Sequence, residues 1–251
     1  MELFLTNLLL VFIGGCLGSF ASSLIHRLPI NSNSINILKP RSFCPECKSS
    51  LTIFQLIPFF GYLANSGNCN ACNTKINYSY IINEVFFALL LVFIYQTTEL
   101  SNFLTLMIIL IVFTLYVQAL IDFKTLLLFQ PLSMLLVVTG LIFNLWFHFF
   151  TVPIDAILGL IFGYGILFSI NQVYKILKSR DGIGSGDFLL LGGIGSIFGA
   201  SAIGPILLIG SSITLCVYLL SSMKSKELPL GFGLGIGAIF YCILFIALSS
   251  S

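Results

Sequence analysis

The chain has 251 residues, 58% of them hydrophobic and 8% charged, with a formal net charge of +2 and a mean hydropathy of +1.08. A water-soluble domain carries about 25% charged residues, so this composition cannot cover a water-facing surface. The small net charge gives no footing for nucleic acid, and none is expected as a partner; the lipid bilayer is.

A membrane-crossing helix needs about 20 apolar residues. Eight such runs are expected, at 3–25, 80–97, 103–121, 131–150, 156–174, 188–203, 205–222 and 232–248. The first reads as a retained span and not a secretory signal, because MELFLTN lacks a basic residue and carries Glu2. TTELSN separates the second run from the third, and TVPID the fourth from the fifth. Gly204 and Pro205 are expected to divide the sixth from the seventh. The fold class is therefore all-α, a polytopic transmembrane helix bundle of about eight spans with a small cytoplasmic loop. Its parts are a first span at 1–25, a cysteine-rich loop at 26–79 and a bundle at 80–251.

The basic residues orient this bundle. Arg27, Lys39, Arg41, Lys48 and Lys75 fall between spans one and two, and Lys124 after span three. Lys175, Lys178 and Arg180 follow span five, and Lys224 and Lys226 follow span seven. With alternating spans all eleven face one side, while the opposite loops hold acids such as Glu99 and Asp155. Positive residues stay in the cytoplasm, so that side is cytoplasmic and the N-terminus lies outside.

Seven cysteines fall into two groups. Cys16, Cys216 and Cys242 sit singly in apolar runs and read as small hydrophobes. Cys44, Cys47, Cys69 and Cys72 form two CxxC pairs, 21 residues apart, in the one long polar stretch. Two such pairs can surround one tetrahedral zinc, with no position left for water, so the metal would be structural. Redox-active dithiols are the alternative; a reducing cytoplasm argues against two disulfides.

Three acids lie in or beside apolar runs. Asp122 ends span three in ALIDFK, Asp187 opens span six in GIGSGDFLLL, and Glu84 lies about one turn into span two. Charge in an apolar stretch is expensive and commonly functional. Asp122 and Asp187 are expected at one depth, on one face. Two carboxylates sharing a site keep one proton between them, which supplies an acid and a base for hydrolysing a peptide bond. Gly182, Gly184 and Gly186 are expected to give a flexible edge where another chain can approach. The plainer alternatives are a helix N-cap for Asp187 and an exposed helix end for Asp122. For Glu84, pairing or packing inside the bundle is the expectation. His26 and His148 fall on opposite sides, which leaves no serine–histidine pair. The segment lacks both the Lys-Ser/Thr of a phosphate loop and the GxGxxG spacing.

Several segments in order resemble the type IV prepilin peptidase family. GSFASSLIHRLP at 18–29 is similar to its opening motif, and RSFCPECKSSL with LIPFFGYLANSGNCNACNTKI to its cysteine loop. ALID and GIGSGD resemble its two aspartate motifs, and ILGLIFGYG and LPLGFGLGIG its flanking segments. The chain differs from the family pattern at Ser22, Ile81, Gln130 and Leu189. The resemblance implies a membrane aspartic endopeptidase with Asp122 and Asp187 as its catalytic pair. It would remove the basic leader of type IV prepilins or pseudopilins at the cytoplasmic face of the plasma or inner membrane. It further implies N-methylation of the new terminus with S-adenosylmethionine as donor, and zinc on Cys44, Cys47, Cys69 and Cys72. The rival readings are a proton- or ion-coupled transporter using the two acids, and a non-enzymatic assembly scaffold.

Overall fold

The computed structural model describes residues 2–30, 41–97, 102–220 and 228–249. Lys39, Glu99, Lys224 and Lys226, which enter the charge argument, lie outside the described residues. The chain falls into two compact units, one running to Ser101 and the other from Asn102 to Ser249.

In the first unit, α1 (Glu2–Arg27) and α4 (Ser79–Thr97) are the long helices. Both are apolar enough to lie in lipid, and glycine sets how closely their backbones pack. A Cβ on Gly14 would strike the backbone of Phe87 and Ala88, and one on Gly18 the backbone of Asn83 and Glu84. These pairings run in opposite directions along the two helices, so the helices are antiparallel. Polar groups in the seam are satisfied locally. Asn83 donates from Nδ2 to Ser22 Oγ at 2.8 Å, and Ser22 donates to the Gly18 carbonyl at 3.0 Å. Two short helices, α2 (Ile53–Leu56) and α3 (Phe60–Ala64), occupy the spacer between the CxxC pairs, which is thus more ordered than the irregular loop expected there.

The second unit holds α5 (Asn102–Thr125), α6 (Gln130–Phe147), α7 (Pro153–Lys178), α8 (Ser185–Phe198), α9 (Ala200–Leu220) and α10 (Leu230–Ser249). Helix α8 is its core: every residue from Leu190 to Phe198 is buried. Close packing there is again made by glycine. The backbones of α7 and α8 meet at Gly159 and Gly195, and a Cβ on Gly163 would lie 2.5 Å from the Leu191 carbonyl oxygen. Gly140 of α6 is closed in the same way by Ser196 and Ile197.

Each of the eight expected apolar runs holds a helix, and among the described residues seven helices are long and apolar enough to cross a membrane. The exception is α8. Its 14 residues span about 21 Å at 1.5 Å per residue, less than the roughly 30 Å of hydrocarbon. The break between the sixth and seventh runs falls at Gly199 and not at Gly204–Pro205. Gly199 has φ +86°, a left-handed conformation suited to glycine. Just before it, Asn144 of α6 donates to the carbonyls of Ser196 (2.9 Å) and Ile197 (2.7 Å), which would otherwise end α8 unsatisfied. Pro205 lies inside α9. Of the other boundaries, the largest shifts are at two C-termini: α5 continues past 121 to Thr125, and α7 past 174 to Lys178. Asp155 is in the first turn of α7, with Val152 at its N-cap, and accepts a hydrogen bond from the Thr151 hydroxyl at 2.9 Å.

Two glycines of α7 give a matched test. Gly159 is closed by the α8 backbone, whereas a Cβ on Gly165 meets nothing within 4 Å. Gly159→Val should lower the yield of folded protein and its Tm, whereas Gly165→Val should leave both unchanged or slightly raised, as measured by thermal unfolding of the purified chain.

Candidate active site and candidate metal centre

Asp122 lies in the last turn of α5 and is 5% exposed, which rules out the exposed helix end. Its Oδ2 accepts the Phe232 N–H at 2.8 Å, and the Gly231 N–H also bonds to this carboxylate. Both donors belong to the first turn of α10, where backbone N–H groups lack partners within their own helix. A carboxylate there is an end-cap supplied from another helix, and the helix dipole favours a negative group in that place. Gly231 must be small, because a Cβ would sit 3.1 Å from Asp122 Cγ and 3.0 Å from both methyl carbons of Leu128.

Asp187 is the third residue of α8; the N-cap is Gly184, whose carbonyl accepts the Asp187 N–H at 3.1 Å. The alternative of Asp187 as N-cap is therefore set aside. Its Oδ1 is buried and has no hydrogen-bond partner among the described residues. The Asp122 carboxylate is near enough to act on it electrostatically. Leu128 joins the two neighbourhoods, since its side chain closes over Gly231 beside Asp122 and over Gly186 beside Asp187.

Two amides that sequence reading missed hold the loops of this site. Gln118, fully buried one turn before Asp122, grips the α5–α6 connection. It accepts the Phe129 N–H at 3.0 Å, and it donates to the Phe129 carbonyl at 3.2 Å and to Ser133 Oγ at 2.6 Å. Leu128 is thus fixed by its neighbour. Asn171 of α7 accepts the N–H groups of Gly182 (2.8 Å) and Ile183 (3.0 Å) and donates to Asp181 at 3.1 Å. Lys175 pairs with Asp181 at 3.2 Å. Asn171 and then Lys175 hold the Asp181 carboxyl below the usual range. The signal for both amides was the one that singled out the aspartates: a polar group inside an apolar run, in YVQALID and SINQVYK.

The glycines of GIGSGD differ from expectation. None of Gly182, Gly184 and Gly186 has positive φ. A Cβ on Gly182 would lie 2.7 Å from the Tyr174 ring, and one on Gly186 would lie 2.8 Å from Leu128 Cβ. Both serve close packing inside a tied loop and not flexibility. Gly184 alone faces open space, apart from Asp187 Oδ2 at 3.2 Å.

In the first unit the four loop cysteines meet, with all sulfurs within 4.8 Å of one another. The contacts run across the pairs: Cys44 to Cys72 at 3.9 Å and Cys47 to Cys69 at 3.9 Å. A disulfide requires about 2.05 Å. The edge of a tetrahedron with Zn–S bonds of 2.3 Å is about 3.8 Å, so the spacing and the donor set both fit a four-thiolate metal site. The two halves are copies of one turn, a repeat that the sequence reading passed over. Antiparallel bridges Phe43–Ser50 and Asn68–Lys75 open them. Cys44 N–H bonds to the Ser49 carbonyl and Cys69 N–H to that of Thr74, each at 2.9 Å. Lys48 and Asn73 follow with φ 58° in both. Cys47 contacts the Ser49 hydroxyl, and Cys72 the Thr74 hydroxyl, each at 3.0 Å.

The electrostatics of the cluster call for a cation. The N–H groups of Cys72 and Ala71 draw the Cys69 thiol down to about 6. The Ser49 hydroxyl and N–H lower Cys47. The Cys47 N–H acts to lower Cys44 too, but burial and the neighbouring thiols outweigh it, and Cys44 is pushed up to about 11. Four thiolates at this spacing repel one another until a positive charge sits among them.

Known proteins match most of this sequence. Residues 12–98 match the Bacterial Peptidase A24 N-terminal domain, and residues 104–220 the Type IV leader peptidase family. A prepilin leader peptidase/N-methyltransferase of Aeromonas salmonicida is 32% identical over 86% of this chain and 82% of its own length. This chain belongs to the type IV leader peptidase family. Relatives of the same name in Neisseria gonorrhoeae (31% identical, 88% of this chain, 84% of the relative) and Klebsiella pneumoniae (32%, 83% and 92%) agree. No solved structure matches the chain. Asp122 and Asp187 fall within the stretch that matches the leader peptidase family, and the four cysteines within the stretch that matches the A24 N-terminal domain.

The tie from Asn171 to the Asp187 loop can be measured directly. Asn171→Leu keeps much of the side-chain volume and removes the acceptor. Amide hydrogen exchange at Gly182 and Ile183 should then speed by about tenfold or more, the equivalent of about 1.4 kcal/mol for the lost bonds, with α8 itself still protected.

Proposed function

We propose that this chain is a prepilin leader peptidase that cuts the basic leader from a type IV prepilin or pseudopilin at the cytoplasmic face of the membrane. Asp122 and Asp187 are its catalytic pair. The observation that carries this reading is the buried Oδ1 of Asp187, without a partner among the described residues and within electrostatic reach of the Asp122 carboxylate. A bare carboxylate oxygen in that position is what a reacting water would bind. Of the rival readings, a transporter would place its acids near the membrane midplane. Here they sit in the last turn of α5 and the first turn of α8.

The chemistry follows from two carboxyls with one proton. The ionised group takes a proton from the bound water as its oxygen adds to the scissile carbonyl carbon. The protonated group gives its proton to the carbonyl oxygen. Collapse of the tetrahedral adduct breaks the C–N bond: the departing amine leaves with the proton the first group had taken, and the second group takes back a hydroxyl proton as the new carboxyl forms. The substrate's apolar helix would lie in the bilayer, with its basic leader held in the cytoplasm by the charge rule that orients this chain.

The metal of the four cysteines is zinc in this reading. Four thiolates leave it no open position, so its part is to fix the two turns and not to activate water. The relatives' name includes an N-methyltransferase, and we assign that second step to this chain with S-adenosylmethionine as donor. It consumes the α-amine that cleavage releases, so it must follow cleavage.

Two measurements test this. Co-expressed with a prepilin, Asp122→Asn and Asp187→Asn should each reduce leader removal by on the order of a thousandfold or more while the protein remains folded. Normal processing by either variant would remove the pair from the mechanism. Elemental analysis of the purified chain should find one zinc per molecule. Cys44→Ser or Cys69→Ser should lose it and lower the Tm, with the aspartates unchanged.

A further inference from the structure

The segment between the two cysteine turns has an unusual composition for a cytoplasmic loop. From Ser49 to Thr74 it holds no charged residue, while Lys48 and Lys75 stand at its two ends. Its short helices present apolar side chains outward: Ile53 is 69% exposed, Phe54 71%, Phe60 55% and Leu63 67%. A soluble loop does not carry such a set without something to cover it.

Its contacts within the first unit say where it lies. Pro58 and Phe59, at the bend between α2 and α3, press on Gly15 of α1. A Cβ there would come within 2.7 Å of Pro58 Cβ and 2.8 Å of the Phe59 ring. The Phe59 N–H donates to Glu84 Oε2 of α4 at 2.8 Å, from a residue held at φ +63°. Glu84 is 8% exposed, so its carboxylate is a buried anchor for the bend.

Both anchor points lie inside membrane-spanning helices. Gly15 is twelve residues from Arg27, about 18 Å along α1. The 26 residues of α1 reach about 39 Å, some 9 Å more than the hydrocarbon layer. Even with all of that excess at the Arg27 end, Gly15 lies about 9 Å below the surface. On α4 the measure agrees. Glu84 is five residues, about 7.5 Å, from Ser79, in a 19-residue helix with no length to spare.

We infer that the α2–α3 hairpin is inserted in the cytoplasmic leaflet of the bilayer, with its bend below the headgroups and Ile53, Phe54, Phe60 and Leu63 among the acyl chains. The occupant of the exposed face is lipid. The two lysines at the ends sit where a headgroup phosphate would meet them, the placement that anchors an interfacial segment. The paired cysteine turns then stand at the headgroup level. This inference is independent of the peptidase reading, since it uses no residue of the second unit.

The test uses the full chain in vesicles with its single tryptophan removed by Trp146→Phe. Phe54→Trp and, separately, Leu63→Trp then report depth. Emission from each should be blue-shifted and at least halved by lipids brominated near the headgroup end of the acyl chain, and nearly unaffected by aqueous iodide. Quenching by iodide and not by brominated lipid would place the hairpin in water and overturn the inference. Protection from both quenchers would mean that protein covers the face, and would overturn it equally. Metal content measured on the same samples shows that the cysteine turns remain intact.

Discussion

The backbones of α7 and α8 touch at Gly159 and Gly195, and that contact determines where the second unit can put a carboxylate. Helix association in lipid gains little from the hydrophobic effect and depends on how closely backbones approach. Gly163 continues the same approach along α7, and Gly140 and Gly193 make a second one between α6 and α8. The helix is thereby sheathed along its length, and its one charged residue is left in the first turn, at the open end. Asp187 is where it is because α8 has no freedom to slide. A shift by one residue would drive side chains into Gly159 and Gly163.

The partner carboxylate is held by a different means. Asp122 accepts N–H groups from the start of α10, a residue pair 110 positions apart in sequence. One aspartate is therefore bound by a helix terminus, while the other keeps an oxygen without a partner. Two carboxyls in one site already share a proton by mutual repulsion, and this inequality biases which of them holds it. Leu128 keeps the two sites in register, and Gln118 keeps Leu128 in place. Loss of the Gln118 clamp would disturb both aspartates through one loop without touching either.

Much of this was legible from residue type and spacing. Apolar runs identified the helices, and the two CxxC pairs marked the four cysteines that the fold brings together. Acids beside apolar runs drew attention to Asp122, which the fold buries, and to neighbouring Asp187, whose Oδ1 it buries. What was not legible depended on partners distant in sequence. GIGSIFGASAIGP reads as one apolar run with a Gly-Pro break, yet the chain turns at Gly199. Asn144 satisfies the preceding carbonyls there, and nothing local marks that residue as their partner. Pro205 reads as a breaker but loses only one helical hydrogen bond near the start of α9. The glycines of GIGSGD suggest freedom until Asn171, Tyr174 and Leu128 are seen to fill the space around them. Glu84 was expected to pair or pack, and its partner is a main-chain N–H at Phe59, which carries no signal in sequence.

The cysteine cluster and the hairpin form one unit. Cys47 lies just before the uncharged segment and Cys69 just after α3, and their sulfurs are 3.9 Å apart. A metal bound there closes a loop whose free ends would otherwise explore many separations. Closing a loop of about 15 residues is worth about 3 kcal/mol in chain entropy, and one of 21 residues somewhat more. That contribution is of the size needed to hold Phe59 at positive φ against Gly15 and Glu84, since such a backbone costs about 1–3 kcal/mol. The twin turns matter for the same reason. Because each ends in the same left-handed residue and the same hydroxyl contact, the chain enters and leaves the cluster in equivalent geometry. The loop between them is projected as a closed hairpin and not as a splayed one. A small polar stretch of chain can in this way carry an apolar tip, with the ordering done by four sulfurs in place of a hydrophobic core.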